Sequence, residues 1–167
     1  MAGATFKMTL HDSDVMAALG RIADPRLMPK VMKNLGELNV KQTRRRFMTQ
    51  RDPEGKEWAP LNPLYASGKR GPGILREHGY LLNSIIYQAG ADQVAIGTNI
   101  KDYGAIHQFG GVIRPRTANA LAFHMGGRLI ITASVRIPAR PYLGAGPADR
   151  AQMVSLVETI IRHDWVH

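Results

Sequence analysis

The sequence predicts an α+β fold: an antiparallel sheet of hairpins packed on a long N-terminal helix and a C-terminal helix, with a long Pro/Gly-rich loop. Three observations carry this. A single apolar stripe runs from Leu27 through Val31, Met32, Leu35 and Leu38 towards Phe47 at helical spacing. Paired alternating segments flank the turn signals Gly90-Ala91-Asp92 and Gly126-Gly127. Near the end, Met153, Val154, Leu156, Val157, Ile160 and Ile161 form one face of an amphipathic helix.

In chain order, Thr5 to Leu10 alternates Phe6, Met8 and Leu10 with Lys7 and Thr9, a short strand pattern. Asp12 or Ser13 offers an N-cap for a helix carrying Val15, Met16, Leu19 and Ile22. Asp24-Pro25 restarts the chain with proline in a first turn, and the long helix then runs for about 22 residues, roughly 33 Å. Helices of that length in small domains form the spine for a sheet.

Residues 51–79 differ. Three prolines or glycines before Leu61 and six more by Gly79 remove donors and raise the entropy cost of order, so regular structure is not expected there. A loop of this length is a functional element or disordered. Trp58, Leu61, Leu64, Tyr65, Ile74 and Leu75 make it one that docks, on its own domain or on a neighbouring subunit.

Tyr80 to Gln88 begins helix-like and ends strand-like, with Gln93 to Thr98 as its hairpin partner. Asp102 to Phe109 suits a short helix stopped by Gly110-Gly111. Ala120–Met125 and Arg128–Val135 form a second hairpin, and residues 118–136 exceed what a minimal core needs, so this hairpin is expected to reach a neighbouring subunit. Ala148 to His163 closes the chain, and residues 1–167 read as one domain.

The balance of 22 basic and 13 acidic residues, net +9, favours polyanions or acidic protein surfaces as partners. With no cysteine, disulfides, thiolate nucleophiles and thiolate metal sites are excluded. No apolar run approaches the roughly 20 residues that span a bilayer, and Lys7 and Thr9 interrupt the only stretch resembling a signal peptide, so no membrane partner is expected.

Catalytic patterns are missing too. The histidines lack metal-binding spacing: His107 and His124 stand apart, and His163 and His167 lie where a helix frays. Gly68-Lys69-Arg70-Gly71-Pro72-Gly73 is basic and glycine-rich but is not a phosphate-binding loop, and no G-x-S-x-G elbow occurs. Glu54 and Glu57 are the nearest approach to an acid–base pair. No enzyme activity, cofactor, metal or small-molecule substrate is expected. The run containing Lys41, Arg44, Arg45 and Arg46 reads either as a solvated face near a helix C-terminus or as a patch for DNA phosphates or an acidic partner.

Three ordered segments bear a resemblance. They are Asp52-Pro53-Glu54-Gly55-Lys56-Glu57-Trp58-Ala59-Pro60-Leu61 with Ile74 to Leu81; Ile96-Gly97-Thr98-Asn99 running on to Tyr103 through Gly111; and Ile137-Pro138-Ala139-Arg140-Pro141-Tyr142-Leu143-Gly144. In this order the chain, from Phe47 to its C-terminal helix, resembles the phage virion morphogenesis family, which includes tail-completion proteins of Mu-like and P2-like tailed phages. His78-Gly79 departs from the Thr-Gly more usual there.

The resemblance implies a structural virion protein, made in the bacterial host cytoplasm, for tail completion or head–tail joining. It implies a ring of copies, hexameric in the simplest case, meeting neck or connector and tail-tube proteins and encircling duplex DNA. A basic DNA-binding protein is the alternative. The expected subunit or partner interface comprises Trp58, Leu61, Tyr65, His107, Gln108, Phe109, Arg140 and Tyr142. Trp58 is a large anchor behind a tight turn. His107 and Gln108 either bond exposed backbone groups or cap their helix. Arg140, stiffened between Pro138 and Pro141, pairs with a carboxylate inside the domain or across subunits.

Overall fold

The computed structural model describes residues 13–21 and 25–164. The expected strand at Thr5–Leu10, Ile22 of the first helix, and His167 lie outside these residues. Helix α1 (Ser13–Leu19) is followed by a 3-10 turn at Pro25–Leu27 and by α2 (Met28–Thr49), the 22-residue spine. Then come α3 (Pro63–Gly68), α4 (Tyr80–Asn83), the hairpin β1 (Ile85–Ala89) and β2 (Val94–Thr98), and α5 (Gly104–Phe109). Strands β3 (Gly111–Ile113), β4 (Leu121–Met125), β5 (Arg128–Thr132) and β6 (Val135–Ile137) precede α6 (Pro147–Asp164).

The fold is α+β with antiparallel hairpins between a long N-terminal and a C-terminal helix, and the hairpins form three separate two-stranded ladders. The spine serves two cores. Its first half sends Val31, Met32 and Leu35 against α1 and α6, where Val15, Ala18, Met153, Val157 and Ile160 are buried. Its last turns send Phe47 into a second core with Trp58, Ile74, Leu81, Ile85, Ile96, Tyr142 and Leu143. Hairpin β1–β2 lies across the helix between them. Gly36 permits this approach, because a Cβ there would meet the Tyr87 ring at 2.2 Å.

Residues 51–79 contain more order than the sequence indicates. Asn62 caps α3 by accepting from the backbone N–H groups of Leu64 (2.9 Å) and Tyr65 (3.4 Å), and Pro63 fits the first helical turn, where its missing donor costs nothing. Arg51 pairs with Glu57 across the preceding turn.

Strands β3 to β6 form one nested arm. At its base β3 pairs with β6, Val112 opposite Arg136. Farther out β4 pairs with β5, Phe123 opposite Ile130 and His124 opposite Leu129. Neither ladder contributes a residue to the two buried cores. The β3–β6 pairing is not legible in the sequence, because three-residue strands separated by over twenty residues leave no periodic signal. The turn at the arm's tip folds back on α3. A Cβ on Gly126, whose φ is +58°, would lie 2.6 Å from Leu64 Cδ1. The arm is therefore an arch, with its base beside α5 and its tip on α3.

Candidate functional site

The stiff segment Arg140–Leu143 organises the region beneath the arm. Gln108, buried at the end of α5, accepts from the backbone N–H of Tyr142 and of Leu143, each at 3.0 Å, and donates through Nε2 to Leu143 O at 3.0 Å. One side-chain amide thus replaces a strand partner for a buried backbone that has no ladder. Tyr142 is fully buried and donates to Gly104 O at 3.0 Å; burial pushes its phenol up to about 12. Trp58 donates from its indole to Pro141 O at 2.9 Å and meets Phe47 edge-on at 5.5 Å. Arg140 donates from Nε to Ala59 O (2.8 Å) and from Nη2 to Pro60 O (2.9 Å), tying the proline loop to this segment.

Four of the eight residues expected at an interface lie inside the chain. Trp58, Gln108, Arg140 and Tyr142 are buried within the chain, and their polar groups are spent on its own backbone. The Arg140–Leu143 segment lies between α2, where Arg46 and Phe47 meet Tyr142, and α5, where Gly104 and Gln108 bond it. Arg140 meets carbonyl oxygens here rather than the carboxylate expected of it. Leu61 and His107 are half-buried in the groove described below, whereas Tyr65 is 39% and Phe109 60% exposed.

The basic run is divided in the same way. Gln42 and Arg46, four residues apart, face α6. Gln42 Nε2 donates to Gln152 Oε1 at 3.1 Å, and Arg46 pairs with Asp149 while donating to Tyr142 O at 2.7 Å. Desolvation lowers the Arg46 guanidinium from its ordinary value, opposed by the Asp149 charge. Arg44 reaches Ile85 O at 3.3 Å, which leaves Lys41 and Arg45 as solvated cations of the run. A helix turns 100° per residue, so six consecutive residues cannot share one face.

Between arch and body lies a groove of about 830 Å³, mostly apolar. The inner face of the arm supplies Phe123, Ile130, Val135 and Ile137, and the body supplies Tyr65 and Tyr103. His107 lies in the wall, edge-on to Tyr103 at 5.9 Å, and its Nδ1 has no hydrogen-bond partner. Burial, and secondarily the Arg140 charge, lower its pKa, so the ring is neutral near pH 7. Lys69 and Glu77 neutralise each other at the edge at 3.0 Å, and the hydrogen bond from Lys69 holds the Glu77 carboxyl below its usual range.

Composition averaged over the whole chain hides one signal in this region. Between Asp102 and Asp149 there are five arginines and no aspartate, glutamate or lysine. Arg114, Arg116, Arg128 and Arg136 are exposed on the arm, and none of their side chains has a partner among the described residues.

Among the described residues, no group of three histidine or carboxylate side chains is placed to hold a metal, and no helix is long and apolar enough to cross a membrane. No curated protein and no solved structure is measurably similar to the chain. The family model for phage virion morphogenesis proteins does match, over residues 10–162, and the chain belongs to that family.

Proposed function

We propose that this virion morphogenesis protein completes the tail or joins it to the head, as an oligomeric ring at the neck or head-proximal tail end. It acts there by burying surface, without catalysis. The observation that carries the reading is the arm. Leu129 and Ile131 are 56% and 67% exposed on its outer face, and a two-stranded ribbon with one bare apolar face has little stability in water alone. Contacts of about 800 Å² per partner or more would supply the missing burial. Copies of the chain, neck or connector proteins and tail-tube proteins are the partners this reading requires, with duplex DNA passing through the ring. Mass photometry of the purified protein and cryo-EM of virions test it; a ring is expected in solution and density at the neck. A persistent monomer that is also missing from particle necks overturns it.

Duplex-DNA binding is the second reading, favoured by the net charge of +9 and by Lys41 and Arg45 on the solvent side of α2. It requires affinity that falls steeply with salt, with a slope near −0.9 per phosphate neutralised. The absence of gel retardation at low salt removes it.

A further inference from the structure

We propose that the groove beneath the arm, with its arginine rim, is a docking site for an acidic, partly apolar segment of a different virion polypeptide, neither a second copy of this chain nor DNA, while the apolar outer face of the arm is left to the contacts of the ring. The inference rests on the virion-assembly reading above and names the partner chemistry of this site. Charge complementarity carries it. Arg114, Arg116, Arg128 and Arg136 stand unpaired on an arm without one carboxylate, and Arg136 and the unpaired Arg76 both border the groove. Arg140 adds a third guanidinium at its wall, compensated by carbonyl dipoles alone.

A second copy is a poor occupant. Its most acidic stretch, Asp52 to Glu57, spends Glu57 on Arg51 (2.6 Å) and Asp52 on the backbone N–H of Lys56 (2.8 Å), which leaves Glu54 alone. Two arms facing each other repel. Duplex DNA is equally ill-suited. The groove itself is lined by Phe123, Ile130, Val135 and Ile137, which offer nothing to phosphates, and a duplex is too wide for a groove of about 830 Å³. An extended segment carrying aliphatic side chains for the groove and carboxylates for its rim satisfies both features. Arginine is suited to such a rim because its planar fork pairs carboxylates bidentately.

The arm contains no lysine, and this makes the test direct. Full-length R114K, R128K and R136K each place one amine on the arm with its charge kept. Each is incubated with head and tail fractions from a lysate of the phage carrying a stop codon in this gene, and treated with a carbodiimide, which joins amines to carboxylates in contact. The expected result is an amide between the new lysine and an aspartate or glutamate of another virion polypeptide, located by peptide mass spectrometry and missing with the wild-type arm. The charge reversal R128E/R136E should lower recovery on those fractions about tenfold or more at unchanged Tm, because both sites are exposed. Cross-links only to this chain's own carboxylates overturn the proposal in favour of a second copy. Binding to a 20-base-pair duplex that is lost in R128E/R136E, with no protein cross-link, overturns it in favour of DNA. No cross-link and no effect of the reversal also overturns it. If the wild-type chain is missing from normal particles, the virion reading falls as well, so the two failures are distinguishable.

Discussion

Replacing Gln108 with alanine tests whether one amide holds the Arg140–Leu143 segment in place. The side chain is 7% exposed and makes three hydrogen bonds at 3.0 Å to the backbone of Tyr142 and Leu143. Q108A leaves two buried donors and one buried acceptor without partners. At the lower bound of about 1 kcal/mol for each orphaned group, the loss is about 3 kcal/mol, before any cost of the vacated space. For a chain of this size that corresponds to a fall in Tm of about 6–12 °C. Q108N keeps the same chemistry but draws the amide back by one carbon, so it should recover little of the loss. Urea unfolding followed by circular dichroism, with m held constant, gives the free energy. A Q108A protein within about 1 kcal/mol of wild type, or full rescue by Q108N, would refute the claim that these three bonds fix the segment.

Arg46→Ala should cost about 3–5 kcal/mol, because it strands the Asp149 carboxylate and Tyr142 O in the interior, whereas Arg45→Ala, one residue away and exposed, should stay within about 0.5 kcal/mol. Equal effects in chemical denaturation would contradict the division of the basic run. Gly146→Ala places a Cβ 1.7 Å from Pro53 O, a backbone atom that cannot swing aside, and should cost about 3 kcal/mol or more by the same assay. Stability should fall as pH rises from about 10 to about 12, since the unfolded Tyr142 ionises near 10 and the folded one near 12; Y142F should flatten this limb, and an unchanged slope would place the effect elsewhere. On the acid side, the buried neutral His107 takes up a proton later than it does when unfolded. Midpoints should therefore drop as pH falls below about 6.5, less so in H107L; identical pH profiles for the two proteins would exclude His107 as the source.

The spine, the two hairpins and the closing helix were legible because each repeats its apolar residues at a period that the backbone geometry imposes. The stripe from Val31 to Phe47 is buried as its spacing requires. The family was legible as well, since it is carried by ordered local motifs. Less could be read about which side chains remain available. Trp58, Arg140 and Tyr142 look in sequence like anchors displayed for a partner, yet each is consumed within the chain itself, because burial depends on what else fills the same space. Lys41 to Arg46 is one run in sequence and three environments in the fold, because a helix distributes neighbours around its axis. The β3–β6 pairing, and the groove it closes over, join residues more than twenty positions apart, and no local pattern encodes that distance. The chain's own order of residues thus determined its elements, its family and the acid-free stretch between Asp102 and Asp149. Only tertiary packing decided that this stretch is an arch with unpaired arginines on its surface, because exposure is a property of the whole molecule and not of any segment.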